Sequence, residues 1–90
     1  MSESAVEKQL MAILGQHLAT LREASGLTQE AVAEAAGISR NYYQLLENGM
    51  GNRKTKKPPN PRFSTLIGLS TALNTTVPDL VDVMFGRSAS

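Results

Sequence analysis

One stretch of polar side chains, residues 39–48, has the chemistry needed to recognise a nucleic acid. Arginine can donate two hydrogen bonds to the edge of guanine, and asparagine or glutamine can match a donor and an acceptor to the edge of adenine. If the stretch is a helix with a buried apolar side, its exposed face carries these residues: Ser39, Arg40, Asn41, Tyr42, Gln44, Leu45 and Asn48. This pattern favours the reading of base edges in a DNA major groove.

The distribution of charge points to the same region. The net charge of the chain is only +1, yet residues 40–62 hold six cations against one carboxylate, a local net charge of +5. Residues 1–39 hold two cations against five carboxylates, and residues 63–90 hold one against two. The central cations are Arg40, Arg53, Lys54, Lys56, Lys57 and Arg62. Such asymmetry indicates either a face presented to a polyanion or a solvated basic loop, and charge alone does not separate the two.

Composition excludes most other chemistry. The 90 residues are enough for one small domain. The lack of cysteine excludes disulfide scaffolds and favours a reducing cytoplasm, and the single histidine, His17, leaves few parts for a metal site or a catalytic centre. No apolar run approaches the roughly 18–20 residues of a membrane span, and the N-terminus lacks the features of a secretion signal. We expect a cytoplasmic protein that is not an enzyme and uses no metal, cofactor or small-molecule ligand.

Apolar residues at helical spacing predict five helices and no strand, an all-α bundle. The predicted helices run from Ser4 to Ala24, from Thr28 to Gly37, from Arg40 to about Asn48, from Pro61 to about Leu73, and from Thr76 to Val83 or Met84. Between the third and the fourth, residues 49–61 are rich in proline, glycine and cations, which predicts a loop.

Local residues mark the ends of these helices. Ser4 and Glu7 fit a capping box, Gly26 fits a left-handed C-cap, and the hydroxyl of Ser39 can cap the third helix. Asn60 before a proline predicts the start of the fourth helix. The buried stripe expected on that helix consists of Phe63, Leu66, Ile67 and Leu73.

The second and third helices form a predicted pair joined by a tight turn. Two short helices that cross steeply need a small residue where their backbones approach, which is Ala33, and a turn residue able to adopt positive φ, which is Gly37. Ile38 fills the corner between them. Tyr43 and Leu46 then pack the third helix onto the second.

Residues 14–49, LGQHLATLREASGLTQEAVAEAAGISRNYYQLLENG, resemble the helix-turn-helix domains of the Cro/phage-repressor family, also called the XRE type. The matching elements are Leu14-Gly15, Leu21-Arg22, Gly26-Leu27-Thr28-Gln29, Ala33, Gly37-Ile38-Ser39 and Leu46-Glu47-Asn48-Gly49. The likeness continues through Pro61-Arg62-Phe63 and Leu73, and it covers about residues 14–80. It implies a lambda-repressor-like fold.

The resemblance also implies roles for individual residues. Thr28 and Gln29 begin the second helix, where the family places contacts to the DNA backbone, which suit the free amides of a helix N-terminus. Arg40 and Asn41 match base-reading positions at the start of the recognition helix. The basic loop, residues 49–61, is longer than the family usually has. Its cations either follow the phosphate backbone or belong to an unordered solvated loop.

Four other positions need separate comment. Glu47 usually serves structure in the family, and we expect it to pair with Arg22. Tyr42 and Tyr43 replace a small and an aliphatic residue, so one aromatic ring is expected in the core and the other toward DNA. Leu45 stands where many relatives carry a polar reader. It either packs on a thymine methyl group or completes packing within the protein.

Surplus apolar residues near both ends of the domain predict a homodimer, since two recognition helices must reach successive major grooves. The expected interface consists of Leu80, Val81, Met84 and Phe85, with Val6 and Leu10 as a second contact. The expected layout is one domain over residues 1–86, with an N-terminal extension at 1–13, the basic loop at 49–61, a dimerisation helix at 77–85, and a flexible tail at 87–90.

The function predicted from these observations is a dimeric repressor that binds double-stranded DNA at a palindromic operator. Two alternatives remain open at this point. A controller or antitoxin component of a two-gene system would have the same DNA-binding core and would also bind a partner protein. A protein-interaction module would keep the fold without the DNA function, although such a module does not need a basic central segment.

Overall fold

The protein is all-α in a computed structural model that describes residues 3–49 and 61–86. Within these ranges there are five helices and no strand. The helices are α1 (Glu3–Ala24), α2 (Gln29–Ala36), α3 (Arg40–Asn48), α4 (Phe63–Ala72) and α5 (Val77–Met84). The predicted fold class is therefore confirmed. The predicted basic loop, except for its first and last residues, and the predicted tail at 87–90 lie outside the described residues.

The long first helix buries the apolar stripe expected from its sequence. Leu14 and Leu18 are fully buried, and Met11 lies at the edge of the core. The helix runs from Glu3 to Ala24, within one residue of the predicted bounds, and the side chain of Ser4, predicted to cap it, lies outside the described part of the chain. At the other end, Gly26 has a φ of +69° and its amide donates to a carbonyl of the last turn, as predicted.

The turn between α2 and α3 has the predicted local chemistry. The hydroxyl of Thr28 accepts from the amide of Ala31 at 3.0 Å, and that of Ser39 accepts from the amide of Tyr42 at 3.1 Å. Each bond satisfies one of the amides left free at a helix start. Gly37 closes α2 with a φ of +75°. These caps fix where α2 and α3 begin.

The fourth helix departs from its prediction at its start and on its buried face. It begins at Phe63, after Arg62, with no side-chain cap, and Asn60 lies outside the described residues. Phe63 is 68% exposed and Ile67 is 46% exposed, whereas both were expected in the core. The buried side chains of α4 are Leu69 and Ser70, and Leu73, the residue just after the helix, is buried as predicted.

Phe63 and Ile67 are exposed because of a close contact between α4 and α2. A Cβ atom at Gly68 would lie only 2.5 Å from the carbonyl oxygen of Ala36, so the two backbones nearly touch there. That contact turns the Gly68 side of α4 toward α2 and leaves Phe63 and Ile67 facing outward.

All five helices contribute to the core, with α1 packed on α3 and α5, and α2 packed on α3 and α4. The fully or almost fully buried large side chains of the core are Leu14, Leu18, Val32, Tyr43, Leu46, Leu69, Leu73 and Leu80. A second close backbone contact joins α1 to α3, because a Cβ atom at Gly15 would lie 2.5 Å from the carbonyl oxygens of Leu46 and Glu47. The inner side of α3 is thus fixed against α1. None of the described helices is long and apolar enough to cross a membrane.

Candidate nucleic-acid interface

The outer face of α3 carries most of the residues predicted to read DNA. Ser39, Arg40, Asn41 and Asn48 are exposed, while Tyr43 and Leu46 point into the core. Three other predicted contacts, Tyr42, Gln44 and Leu45, are half-buried at the borders of this face. The division of α3 into a buried apolar side and a polar outer side therefore follows the sequence-based prediction.

Tyr42 and Tyr43 have different surroundings, because successive residues of a helix point in different directions. Tyr43 is fully buried, and Tyr42 packs partly against the edge of the core instead of standing free on the surface. Burial raises the pKa of Tyr42, and the nearby positive charge of Arg62 partly opposes that rise. Arg62 is exposed beside the start of α4, so it adds a cation next to the outer face of α3.

A largely buried ion pair lies beneath this face. The Nε and Nη2 atoms of Arg22 donate to the two carboxylate oxygens of Glu47 at 2.9 and 2.8 Å, and Nη1 donates to the carbonyl of Leu27 at 3.0 Å. The side chains are 17% and 8% exposed. The expected pairing of Glu47 with Arg22 is confirmed. It ties α1 to α3 and to the loop before α2.

Two glutamines extend the ion pair toward the outer face. The Nε2 atom of Gln29 donates to Oε1 of Glu47 at 3.2 Å, and Nε2 of Gln44 donates to Oε1 of Gln29 at 3.1 Å. We call the four side chains Arg22, Glu47, Gln29 and Gln44 the polar relay. The sequence-based prediction assigned Gln29 only to the DNA backbone and missed this connection. The one feature of the sequence that indicates this connection is the spacing of Gln44 and Glu47, which stand three residues apart and so share a side of α3.

The ionisation of the relay follows from its burial and its partners. Burial alone raises the pKa of Glu47, but the hydrogen bond from Arg22, followed by the smaller effects of Tyr43 and Gln29, outweighs burial and leaves the pKa below its ordinary value. The hydrogen bond to Glu47 raises the pKa of Arg22. Burial, together with the neighbouring Glu47 carboxylate, raises the pKa of Tyr43. At neutral pH the relay therefore holds one cation and one anion, and the phenol of Tyr43 beside it is neutral.

The lowered pKa of Glu47 predicts a loss of stability in acid. A carboxylate whose pKa is lower in the folded state than in the unfolded state stabilises the fold at any pH above its unfolded pKa, which is about 4.3 for glutamate. This stabilisation is lost as the pH falls toward the pKa of the folded state. We expect the melting temperature to fall more steeply between pH 5 and pH 3 in the wild type than in Glu47→Gln. Thermal unfolding followed by circular dichroism measures both slopes, and equal slopes would show that Glu47 titrates as an exposed carboxylate does.

An open depression of about 560 Å³ lies beside the relay at the N-terminus of α2. Residues that line it include Thr28 and Gln29 of the α2 start and the guanidinium-bearing Arg22 and Arg40. Free amides at a helix start and nearby guanidinium groups both favour an anion such as a phosphate. Glu30, also on its wall, adds an opposing negative charge. The structure thus brings together Thr28, Gln29 and Arg40, three residues predicted from sequence to contact DNA.

The remaining predicted site residues are placed as follows. Arg53, Lys54, Lys56 and Lys57 lie outside the described residues. Of the expected dimer contacts, Phe85 is 59% exposed and Val6 is 41% exposed, whereas Val81 is half-buried, and Leu10 and Met84 pack partly against the core. Leu80 is fully buried in the core, because it is the inward residue of α5, and it offers no surface to a second copy. The described residues contain no group of three histidines or acidic side chains placed to hold a metal ion.

Comparison with known proteins identifies the family. A sequence model described as a helix-turn-helix domain matches residues 13–83. The chain belongs to the helix-turn-helix domain family. This helix-turn-helix chain is 38% identical over 69 residues to control protein C.SmaI of Serratia marcescens, an alignment that covers 77% of this chain and 73% of the relative. It is 36% identical over 69 residues to an uncharacterized HTH-type transcriptional regulator, y4dJ, of Sinorhizobium fredii, covering 77% and 79% of the two chains.

Solved structures agree with this assignment. The clp gene regulator ClgR from Corynebacterium glutamicum superposes with a TM-score of 0.70 at 27% identity, covering 86% of this chain and 73% of that one. The restriction-modification controller protein C.AhdI from Aeromonas hydrophila superposes with a TM-score of 0.64 at 30% identity, covering 78% and 94%. The predicted fold and the predicted resemblance to helix-turn-helix regulators are confirmed, and the relatives support DNA-binding transcription regulation as the function.

Proposed function

We propose that this protein is a sequence-specific, double-stranded DNA-binding transcription regulator, without catalytic activity, that binds a palindromic operator as a homodimer. The observation that carries the proposal is the outer face of α3, where Arg40 and Asn41 stand exposed beside the depression at the N-terminus of α2. With α3 in the major groove, that depression would meet the phosphate backbone. A dimer bound over a promoter would exclude polymerase, so repression is its simplest effect, and it would act in the cytoplasm, with the DNA.

Two further contacts belong to this proposal. The four cations of the basic loop, at residues 53–57, add affinity through the phosphate backbone and no sequence preference. Leu45, half-buried at the border of the outer face, packs on a thymine methyl group in the major groove.

Base reading by Arg40 predicts a local change in sequence preference. In Arg40→Ala we expect binding to the best duplex to weaken by about 1–3 kcal/mol and the preference to relax at one base pair, because a bidentate contact is lost. Selection from random duplexes followed by fluorescence anisotropy measures both quantities. Lys8→Ala, which removes an exposed cation on α1, is the matched control and should keep the wild-type preference. Unchanged affinity and unchanged preference in Arg40→Ala would exclude this docking.

A second candidate function is that of a controller protein in a two-gene system. It is favoured by the similarity to control protein C.SmaI and to the restriction-modification controller C.AhdI. This function uses the same DNA-binding face, so the location of the operator separates the two. If the selected sequence recurs upstream of the protein's own gene and of an adjacent restriction or methyltransferase gene, and the protein shifts both fragments on a gel, the controller function is supported. An operator found only at unrelated genes would exclude it.

Dimerisation is tested through the exposed aromatic residues. The proposal places Phe85 at the main contact, and the structure adds a second apolar surface, Phe63 and Ile67 on α4, a helix that carries no charged residue. Sedimentation at micromolar concentration should show about twice the 9.7 kDa monomer mass. Phe85→Asp should return the protein to a monomer, while Phe63→Asp should leave the dimer intact. Dissociation by Phe63→Asp alone would move the interface to α4, and a wild-type monomer that binds one half-site tightly would refute the dimer.

A further inference from the structure

The side-chain amide of Gln29 has one orientation that suits both of its neighbours. A carboxylate only accepts hydrogen bonds, so the carboxylate of Glu47 requires the Nε2 end of Gln29 to face it, at 3.2 Å. The Oε1 end of Gln29 is then left to face Gln44. Because Oε1 is also only an acceptor, Gln44 must turn its own Nε2 toward Gln29, at 3.1 Å. Reversing either amide would place two oxygen atoms against each other at hydrogen-bond distance.

The side-chain amide of Gln44, the last member of the polar relay, is therefore held in one orientation. One N–H of Gln44 is used by Gln29, and its Oε1 and second N–H make no hydrogen bond within residues 3–49 and 61–86. Gln44 lies one helical turn after Arg40, at the border of the outer face of α3. An amide with a free acceptor and a free donor matches adenine, which offers an N6 donor and an N7 acceptor in the major groove. A free glutamine could present these two groups in either order.

We infer that Glu47 is a positioning residue for base readout. Its charge, held by Arg22, fixes the direction of the Gln29 amide and through it the direction of the Gln44 amide. Gln44 therefore selects adenine at one base pair of the operator. Glu47 itself lies beneath the face and makes no contact with the base. The inference rests on the proposed function, since it requires that the outer face of α3 reads DNA.

The experiment compares sequence preferences, which do not depend on the fraction of molecules that fold. Wild type, Gln44→Ala and Glu47→Gln are each used to select bound sequences from random duplexes. Gln44→Ala identifies the base pair read by Gln44. In Glu47→Gln the new amide can donate to Gln29 as well as accept from it, so both directions of the Gln44 amide become available. At that base pair alone we expect the preference for adenine to fall from about 5- to 150-fold, the range of one bidentate contact, to less than about threefold.

A compensating variant separates positioning from a merely structural role. In Glu47→Gln combined with Gln29→Glu, the carboxylate at position 29 is an acceptor toward Gln44 whichever way residue 47 turns. The preference for adenine should therefore return to within about twofold of wild type, since the bidentate contact is restored. Gln29→Met keeps the Arg22–Glu47 pair and removes the acceptor beside Gln44. Gln29→Met should weaken the preference for adenine at the same base pair. It is used in place of Glu47→Gln if that variant does not fold.

The outcomes are distinct. A relaxed preference at the Gln44 base pair in Glu47→Gln or Gln29→Met, with recovery in the compensating variant, supports the inference. An equal loss of affinity for all sequences with unchanged preferences would make Glu47 purely structural and overturn it. If Gln44→Ala relaxes no base pair, the inference fails while the proposed function stands on Arg40. If the wild type selects no sequence at all, the proposed function itself fails and the inference with it.

Discussion

Replacement of Glu47 by alanine is expected to lower the free energy of unfolding by about 3–5 kcal/mol, the cost of leaving one charge of a buried pair without its partner. Arg22 would lose two of its three hydrogen bonds and keep only that to the carbonyl of Leu27. Domains of this size have a total stability of about 5–14 kcal/mol. The single change therefore removes a large share of it. Urea denaturation measures the loss as a lower midpoint at an unchanged slope.

Two sets of variants control this result. Glu34→Ala removes an exposed carboxylate of α2 and should change stability by less than about 0.5 kcal/mol. Arg22→Met leaves the carboxylate unpaired and should cost about as much as Glu47→Ala, whereas Arg22→Met with Glu47→Leu should cost less than the sum of the single changes. A loss below about 1 kcal/mol in Glu47→Ala would mean that the pair behaves like an exposed one.

The parts of the fold that were predictable from sequence are those set by neighbouring residues. The hydroxyls of Thr28 and Ser39 cap helices that begin at the next residue, and Gly37 ends α2 because its φ is positive. These are local events, and their residues stand together in the chain. The all-α class and the buried side of α3 follow from spacing in the same way.

The parts that were not predictable depend on contacts between distant residues. Phe63 and Ile67 have the composition of a core stripe, but the contact of Gly68 with Ala36 decides which side of α4 is buried. At the site, the Arg22–Glu47 pair followed from the family resemblance. The bonds that join Gln29 to Glu47 and Gln44 did not, because they arise only when the start of α2 meets the side of α3. The exposed polar residues of α3 are thus visible in the sequence, whereas the hydrogen bonds between Gln29, Glu47 and Gln44 are not.

Gly15→Ala is expected to destabilise the protein by about 3 kcal/mol, at the upper end of the usual overpacking range. Helix propensity alone predicts the opposite sign, a gain of about 1 kcal/mol for alanine over glycine inside a helix. The close contact decides the outcome, because the new methyl group would lie 2.5 Å from the carbonyl oxygens of Leu46 and Glu47. These are backbone atoms, which cannot swing aside, so α3 would have to move away from α1 as a unit.

The displacement of α3 in Gly15→Ala is also expected to weaken DNA binding. A displaced α3 carries Glu47 away from Arg22 and shifts the outer face relative to the start of α2, so the folded fraction of Gly15→Ala should bind its best duplex more weakly. Gly26→Ala is the matched control, because the new methyl group would meet no atom within 4 Å. The only cost is the strain of an alanine at a φ of +69°, about 1–2 kcal/mol. The folded Gly26→Ala protein should bind DNA with wild-type affinity. Urea denaturation and anisotropy on both variants measure the two effects. A Gly15→Ala protein as stable as the wild type would show that α1 and α3 are farther apart than this contact requires.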